Sequence, residues 1–328
     1  MRNATRLLAS ICTASIMVLG AVSTAQAADK WPTRPIRLLV GFAPGGPTDV
    51  VARIVSDEMA KGLGQPVIVE NKSGAAGNIA AAALVNAPAD GYTLLYNTSS
   101  IVIAPWVYKQ VEFDPKKDFS PIGLTAAVPL VLAINTKVAA KSPKELIALL
   151  KSSPGKYNYA SSGTGAIEHL TAAHMLSEVD AKATHVPYKG TAPAQVDLIA
   201  GATQFTTTTL NTAIPPVKAG TLNALAVTSA ERSPAMPDVP TVSESLIPGF
   251  ESLAWQGIVA PAGTPPDVIE ILNKAINKAL GTEAVKTKLA QQGTMILGGS
   301  AQKYADYIVS EYARWGDVVK AAGASEKD

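Results

Sequence analysis

Ile36-Arg37-Leu38-Leu39-Val40-Gly41-Phe42-Ala43-Pro44-Gly45-Gly46-Pro47-Thr48-Asp49 decides how this chain folds. The first five residues read as a buried strand, the next seven as a small-residue turn, and a helical pattern starts near Thr48. A strand feeding a helix through such a turn opens a β-α-β unit. Further on, Pro66 to Val69 reads as a second strand. The helix after it is expected to place Ile79, Ala80, Ala83 and Leu84 on its inner face. Thr93-Leu94-Leu95-Tyr96 reads as a third strand. Strand, helix, strand, helix, strand predicts a parallel sheet with covering helices.

The same rhythm resumes at Leu130-Val131-Leu132-Ala133-Ile134. Ser142-Pro143-Lys144-Glu145 is a capping box with proline at the first helical position, so a helix begins there. Strands are predicted at Tyr157 to Ala160, Thr184 to Pro187, Thr203 to Leu210 and Leu225 to Thr228. Helices are predicted over Ala166 to Leu176 and Ala192 to Ile199. The end of the chain reads as helical with no clear strand between the helices. Thr264 is expected to cap a helix running from Pro265 to Leu280. Ser300 starts a last amphipathic helix through Tyr304, Ile308, Tyr312 and Trp315. Two α/β blocks in series predict two lobes: residues 28–130, then 131–250, with a helical part 251–328 returning to the first. The Pro-rich stretch Ser233 to Pro248 is the expected crossing.

The start of the chain has another character. Arg2 and Arg6 precede an apolar stretch, Leu7 to Gly20, and Ala25-Gln26-Ala27 follows as an A-x-A site. That order describes a secretory leader, residues 1–27, cut after Ala27. It predicts export of the mature protein. The one cysteine, Cys12, lies in the leader and too early to be a lipoprotein cysteine, so the mature chain has no thiol to ligate a metal or form a disulfide. About 300 residues can bury a core without such staples. The whole chain carries 28 Lys and Arg against 26 Asp and Glu. Losing the two leader arginines balances the charge. With no basic run, nucleic acid and anionic membrane are poor partners.

Two loops share one form. Phe42 to Thr48 and Ser161-Ser162-Gly163-Thr164-Gly165 each follow a strand and open a helix. Such turns leave amides free at a helix N-terminus, where the dipole favours an anion. One loop in each block suggests a shared anion site between them. The second also mimics a dinucleotide fingerprint, but Glu168 stands where the third glycine belongs and the next strand ends in Tyr188-Lys189. Hydrolase chemistry fails on inventory. There is no G-x-S-x-G elbow, no nucleophile–base pair is legible, and His169 and His174 stand five apart, off the i, i+4 zinc spacing. His185 sits isolated in a strand; His169, one turn into a cleft-facing helix, is the histidine to watch. In Thr206-Thr207-Thr208-Thr209, alternate residues share a face. Thr206 and Thr208 therefore point the same way, and either could hydrogen-bond a ligand if that face ends at the cleft.

Several stretches resemble one family. Gly41-Phe42-Ala43-Pro44-Gly45-Gly46-Pro47-Thr48-Asp49-Val50-Val51-Ala52-Arg53 is similar to the first ligand loop of the solute receptors of tripartite tricarboxylate transporters, the Bug family. So is Leu63 to Ile79, which contains Glu70-Asn71-Lys72-Ser73-Gly74. Asp90-Gly91-Tyr92-Thr93-Leu94, Val186-Pro187-Tyr188-Lys189-Gly190 and Gly257 to Pro265 match in order. The resemblance spans nearly the whole mature chain.

It implies a type II-like Venus flytrap, a two-lobed α/β periplasmic binding protein. Each lobe is then a sheet covered by helices, with the ligand cleft between lobes. It implies a small-molecule carboxylate held by backbone amides of the two glycine loops, with no cofactor and no metal. It further implies delivery to multi-spanning membrane permease subunits by a monomer that is no enzyme. Carried over by position, the ligand residues are Phe42, Ala43, Pro44, Gly45, Gly46, Thr48, Asp49, Asn78 and Ser99 in the first lobe. In the second they are Ser161, Ser162, Gly163, Thr164, Gly165, His169, Tyr188, Lys189, Gly190 and Thr208. Where Thr208 stands, many relatives carry an aspartate suited to a ligand ammonium. The expected ligand is therefore a di-, hydroxy- or aromatic carboxylate and not an amino acid. Two alternatives stay open: the same receptor signalling to a sensor kinase, and a secreted hydrolase.

Overall fold

Every residue of β1 (Ile36–Val40) except Arg37 is buried, as befits a strand covered on both faces. It runs parallel to β2 (Val67–Asn71) on one side and β3 (Thr93–Thr98) on the other. The computed structural model describes residues 31–325; the expected leader, with Cys12 and the cut after Ala27, lies outside them. Helix α1 (Pro47–Leu63) has proline at its start and stops at Gly64, which is left-handed (φ 69°). Helix α2 (Asn78–Val85) buries Ala80, Ala81 and Leu84. Ile79, expected on the inner face, is instead 52% exposed. A 3-10 turn at Ala75–Gly77 enters the helix at a different angle, and Ile79 folds back over Gly74, whose added Cβ would lie 2.5 Å from its Cδ1.

A short helix, α3 (Ser100–Val107), leads to the strand that organises the molecule. β4 (Phe119–Asn135) runs for 17 residues, roughly 55 Å of extended chain. Sequence reading saw only its second half, because Pro121, Gly123 and Pro129 break the strand pattern of the first. In the structure Pro121 and Gly123 flank a register shift against β9 (Leu253–Pro261), and Pro129 is the last residue of β4 paired with β9. From Leu130 onward β4 pairs instead with β7 (Phe205–Thr209) and β8 (Leu222–Val227). One strand thus belongs to two halves of the sheet.

The second half contains α4 (Pro143–Ser152), β5 (Asn158–Ser161), α5 (Ile167–Glu178), β6 (Thr184–Pro187), α6 (Thr191–Ala200) and α7 (Leu210–Lys218). β5 runs parallel to β6 and β7. Ser142 caps α4 by accepting the Glu145 amide, while the Glu145 carboxylate reaches back to the Lys141 amide. The full reciprocal box occurs instead at α8 (Val242–Ser245), between Thr241 and Glu244. The full strand order is β2-β1-β3-β9-β4-β7-β5-β6, with β8 and a two-residue β10 (Met295–Ile296) also on β4. β10 is a strand the sequence did not suggest. It separates α9 (Pro266–Leu280) and α10 (Glu283–Gln291) from α11 (Ala301–Ala321). Pro265, not Thr264, caps α9; the Thr264 hydroxyl donates to the Pro261 carbonyl.

The chain returns toward the first half at Thr228 and Ser252. Thr228 donates its hydroxyl to the Ser252 carbonyl, and its oxygen accepts the Leu130 amide at 2.8 Å. The Ser252 amide in turn donates to the Thr228 carbonyl. Thr228 is fully buried, so the two crossings are fastened at one point. α11 caps its first turn with Ser300 and buries Tyr304, Ile308 and Trp315 against the first half. Its Glu311 is 6% exposed but fully engaged: it accepts from Trp255 Nε1, Trp315 Nε1 and both Arg314 donors at 2.7–3.1 Å. A buried carboxylate paired this completely is tolerable where an isolated one is not. The second half keeps its own apolar cluster around Tyr159, Phe205 and Leu132. Two α/β lobes, each with its own core and joined by crossing strands, make this a two-lobed binding-protein fold.

Candidate functional site

Parallel strands bring their loops to the carboxyl edge of the sheet, where ligands of α/β proteins collect. The first glycine loop lies at that edge of β1. Phe42 is half-buried, Ala43 to Gly45 are exposed, and Gly45 is left-handed (φ 76°). The Gly46 amide turns back to the Ala43 carbonyl. Gly41 must be glycine, since a Cβ there would sit 2.5 Å from Gly77 Cα.

Asp49, expected to face ligand, is 2% exposed. Its Oδ2 accepts from the Gly45 amide and Arg53 Nε, both at 2.9 Å, and its Oδ1 accepts from Asn71 Nδ2 at 2.8 Å. Asn71 also donates to the Phe42 carbonyl. Burial would raise this carboxyl, but the bonds from Arg53, Asn71 and Gly45 outweigh it and hold it below the usual range. Asp49 therefore shapes the loop. Thr48 is half-buried beside it.

Below the loop is a cavity of ≈ 10 Å³, room for about one water. Phe42, Asn78, Tyr96, Asn97, Thr98 and Ser100 are among its walls. The expectation at Ser99 moves by one residue. Ser99 is 2% exposed and precedes α3 at its N-cap position, while Ser100 reaches the cavity and shares a 2.8 Å hydrogen bond with Thr98. Tyr96 is fixed from behind by Thr125 and by Gln256 Oε1. Asn97 is fixed by the Tyr304 hydroxyl.

The second loop lies at the carboxyl edge of β5. Its Gly165 is left-handed (φ 73°), and a Cβ there would stand 2.6 Å from Val107 Cγ1. Val107 ends α3, so the second lobe's loop rests on a first-lobe helix whose other end lines the cavity below the first loop. The Gly163 amide is taken by Ser161 Oγ and the Gly165 amide by His169 Nδ1. The amides of Ser162 and Thr164 find no acceptor among the described residues. His169 thus acts on its own loop and not toward solvent; it is 5% exposed.

The structure also brings His185 to this loop. Its ring stacks on His169 with centroids 3.7 Å apart. Burial, and for His169 also the neighbouring His185, pushes both imidazoles down to about 4. His185 Nε2 lies 2.7 Å from Ser161 Oγ, which corrects the expectation that no nucleophile–base pair exists. The residues are 24 apart in sequence and meet because β5 and β6 are neighbours. The pair is poorly suited to attack. Ser161 is 1% exposed, its hydroxyl is shared with Gly163, and so depressed an imidazole is a weak base at neutral pH.

On the far side of this loop Tyr188 donates its hydroxyl to Asp197 at 2.7 Å. Burial and then Asp197 raise its phenol to about 12. Lys189 is exposed, and Gly190 caps α6 while its amide closes on the Ser162 carbonyl. None of these three lines the second cavity.

That cavity, also ≈ 10 Å³, lies at the carboxyl ends of β5 and β7 under α6 and α7. Ser161, Ser162, Thr206 and Thr208 line it, as the alternating threonines suggested. Thr206 is bonded to the Ala160 carbonyl and Thr207, on the other face, to the Glu168 carbonyl. The Thr208 hydroxyl is buried without a partner. Glu168, Thr191, Gln195 and Thr212 complete the polar wall. Sequence reading treated Glu168 only as a missing glycine; a charged residue in the first turn after a glycine loop was the available signal. A roomier groove of ≈ 420 Å³ lies elsewhere, between α5, α11 and the 247–251 segment. It holds no glycine loop.

Residues 51–324 match the family described as the tripartite tricarboxylate transporter family receptor. BugT of Bordetella pertussis (strain Tohama I) is 36% identical over 327 residues, 99% of this chain and 100% of BugT. Among solved structures, Rpa4515 of R. palustris with adipate superposes at a TM-score of 0.82 with 35% identity, covering 90% of this chain and 99% of that one. MatC of Rhodopseudomonas palustris with bound malate gives 0.76 and 33%, covering 88% and 100%. The glycine loops, the shared long strand and these likenesses agree: the chain belongs to the tripartite tricarboxylate transporter receptor family, the Bug-type periplasmic solute-binding proteins.

Proposed function

We propose that this receptor captures a small organic carboxylate between its lobes and passes it to multi-spanning permease subunits of a tripartite transporter. The ligand is a di-, hydroxy- or aromatic carboxylate and not an amino acid. The observation that carries this reading is the second loop. It presents the unpaired amides of Ser162 and Thr164 beside a helix start, and it rests through Gly165 on the first-lobe helix below the first loop. The first loop, Phe42 to Gly46, supplies the other lobe's side of the site, with Asn78 and Ser100 lining the cavity below it; its Gly45 and Gly46 amides are already taken within the loop. The adipate and malate held by the two relatives support the class. The receptor works as a monomer in the periplasm after cleavage behind Ala27, and lobe closure is a hinge motion.

Charge-assisted hydrogen bonds contribute about 1.5–3 kcal/mol each, and ordering costs offset much of the sum. A dissociation constant near micromolar, about −8 kcal/mol, is expected. Calorimetry against mono-, di- and hydroxycarboxylates tests it, and millimolar binding throughout sinks it. The Ser161–His185 pair gives the hydrolase alternative one concrete form. Ester turnover that vanishes in Ser161→Ala would establish that alternative; no turnover is expected.

A further inference from the structure

Glu168 is the one acid in the second cavity and has no cation opposite it. The lining includes no lysine, arginine or histidine. Lys189 and Lys218, each two residues from a lining position, are exposed and outside the lining, and His169, next to Glu168, accepts the Gly165 amide. Glu168 is 7% exposed. Its Oε2 accepts the Ser162 hydroxyl at 2.8 Å. In the same cavity the buried hydroxyl of Thr208, a residue 6% exposed, has no partner. A pocket that pairs an uncompensated carboxyl with an orphan hydroxyl lacks one group that can both donate and accept.

We infer that Glu168 and Thr208 form a distal subsite that selects a carboxylate ligand whose far end is a hydroxyl. The hydroxyl donates to Glu168 and accepts from Thr208, so one atom satisfies both. A second carboxylate at that place would bring a charge into a buried, cation-free site beside an acid, and both desolvation and Glu168 would oppose it. An alkyl end would leave Thr208 unpaired. Burial drives the Glu168 carboxyl above its usual range, against its own amide and Ser162, as befits an acid with no cation beside it. This assignment rests on the carboxylate reading above and narrows it to hydroxy acids.

The test is calorimetry at pH 7.5 on the full mature receptor with two matched series. One is hexanoate, 6-hydroxyhexanoate, adipate and 6-aminohexanoate; the other is butyrate, 4-hydroxybutyrate, succinate and 4-aminobutyrate. In at least one series the hydroxy acid should bind at least tenfold more tightly than both the alkyl acid and the diacid. Glu168→Gln should tighten the diacid about tenfold, loosen the hydroxy acid, and leave the alkyl acid within twofold. Glu168→Ala, with circular dichroism and melting as fold controls, should act in the same direction. A diacid that equals the hydroxy acid on the natural protein, unmoved by either variant, overturns the subsite. So does an amino acid that binds most tightly. Those failures leave carboxylate binding intact; loss of every acid in both series sinks the carboxylate reading itself.

Discussion

In the first glycine loop the acid is Asp49, ringed by Gly45, Arg53 and Asn71 at 2.8–2.9 Å. In the second it is Glu168, which receives Ser162 and faces a cavity with no cation. Both carboxyls are buried, and both stand in the first turn of the helix that follows the loop. Their neighbours push them in opposite directions: Asp49 is held below its usual range and Glu168 above it. The first acid is used up in holding its loop in shape. The second remains open to whatever enters. Similar sequence motifs at equivalent strand ends therefore place their acids differently, one bound into its own loop and one lining a cavity, where the proposed subsite would use it.

The largest effect expected from this asymmetry is at the glycines themselves. Gly165→Val would press a Cβ within 2.6 Å of Val107 Cγ1 at a left-handed φ of 73°. Overpacking costs about 1–3 kcal/mol and the left-handed strain about 1–2 more. The variant should melt well below the natural protein and lose at least a hundredfold in ligand affinity, since the lobes can no longer meet. Gly45→Val has φ 76° but nothing within 4 Å, so only the strain of about 1–2 kcal/mol applies. Equal losses in the two variants, by urea unfolding, would erase the contrast between the loops.

The acids come next. Asp49→Ala strands the Gly45 amide and Asn71 and frees Arg53. Breaking a fully buried pair costs about 3–5 kcal/mol, but Arg53 is 48% exposed and water replaces part of the loss. About 2 kcal/mol of lost stability is expected, with ligand affinity falling through disorder of the loop. Glu168→Gln should cost under about 1 kcal/mol, because a neutral amide replaces a carboxyl already driven toward its neutral form. A Glu168 variant as damaging as Asp49→Ala would make Glu168 a scaffold too.

Protons read the same contrast. Asp49, depressed, contributes stability that is present above its ordinary range and lost as pH falls through its lowered value. Glu168, raised, does the reverse: the fold loses stability as pH rises above the ordinary carboxyl range toward its raised value. His169 and His185, both near 4 in the fold, bind protons more readily when unfolded. Stability should therefore fall as pH drops from about 6.5 to about 4. His185→Gln should flatten that decline, measured as melting temperature against pH. An unchanged slope would mean that the stacked pair titrates normally.

How much of this could be read from the chain alone varies by residue. The apolar, uninterrupted strands β1 and β3 were legible, as was the amphipathic stripe of α11. The first half of β4 was not, because Pro121, Gly123 and Pro129 break the strand pattern where the structure places a register shift (Pro121 and Gly123) and the end of the pairing with β9 (Pro129). The α7 helix was hidden by Pro215 and Pro216 inside it. Both glycine loops were legible, since composition and order alone mark a strand–turn–helix edge. Asp49 as scaffold, His185 beside Ser161, and Glu168 beside Thr208 were not. Each depends on a partner brought from another strand or helix by register, which single-chain periodicity does not encode.

The smallest expected effect is also the sharpest for the second loop. Thr208 carries a buried hydroxyl with no partner, and valine has nearly its shape. An unsatisfied buried polar group costs about 1–3 kcal/mol, so Thr208→Val should stabilise the empty receptor, by up to about 1 kcal/mol once repacking is allowed for. The same substitution removes the donor meant for a ligand hydroxyl, so affinity for the hydroxy acid should fall about three- to tenfold, near 1 kcal/mol. Thr208→Asp would add a second acid beside Glu168 and should weaken every anionic ligand more than valine does. The signature is therefore opposite signs for stability and binding in one conservative variant. A valine variant that is less stable when empty would mean that the hydroxyl already has a partner, a bound water for instance. One that binds the hydroxy acid as tightly as before would mean that Thr208 plays no part in choosing the ligand.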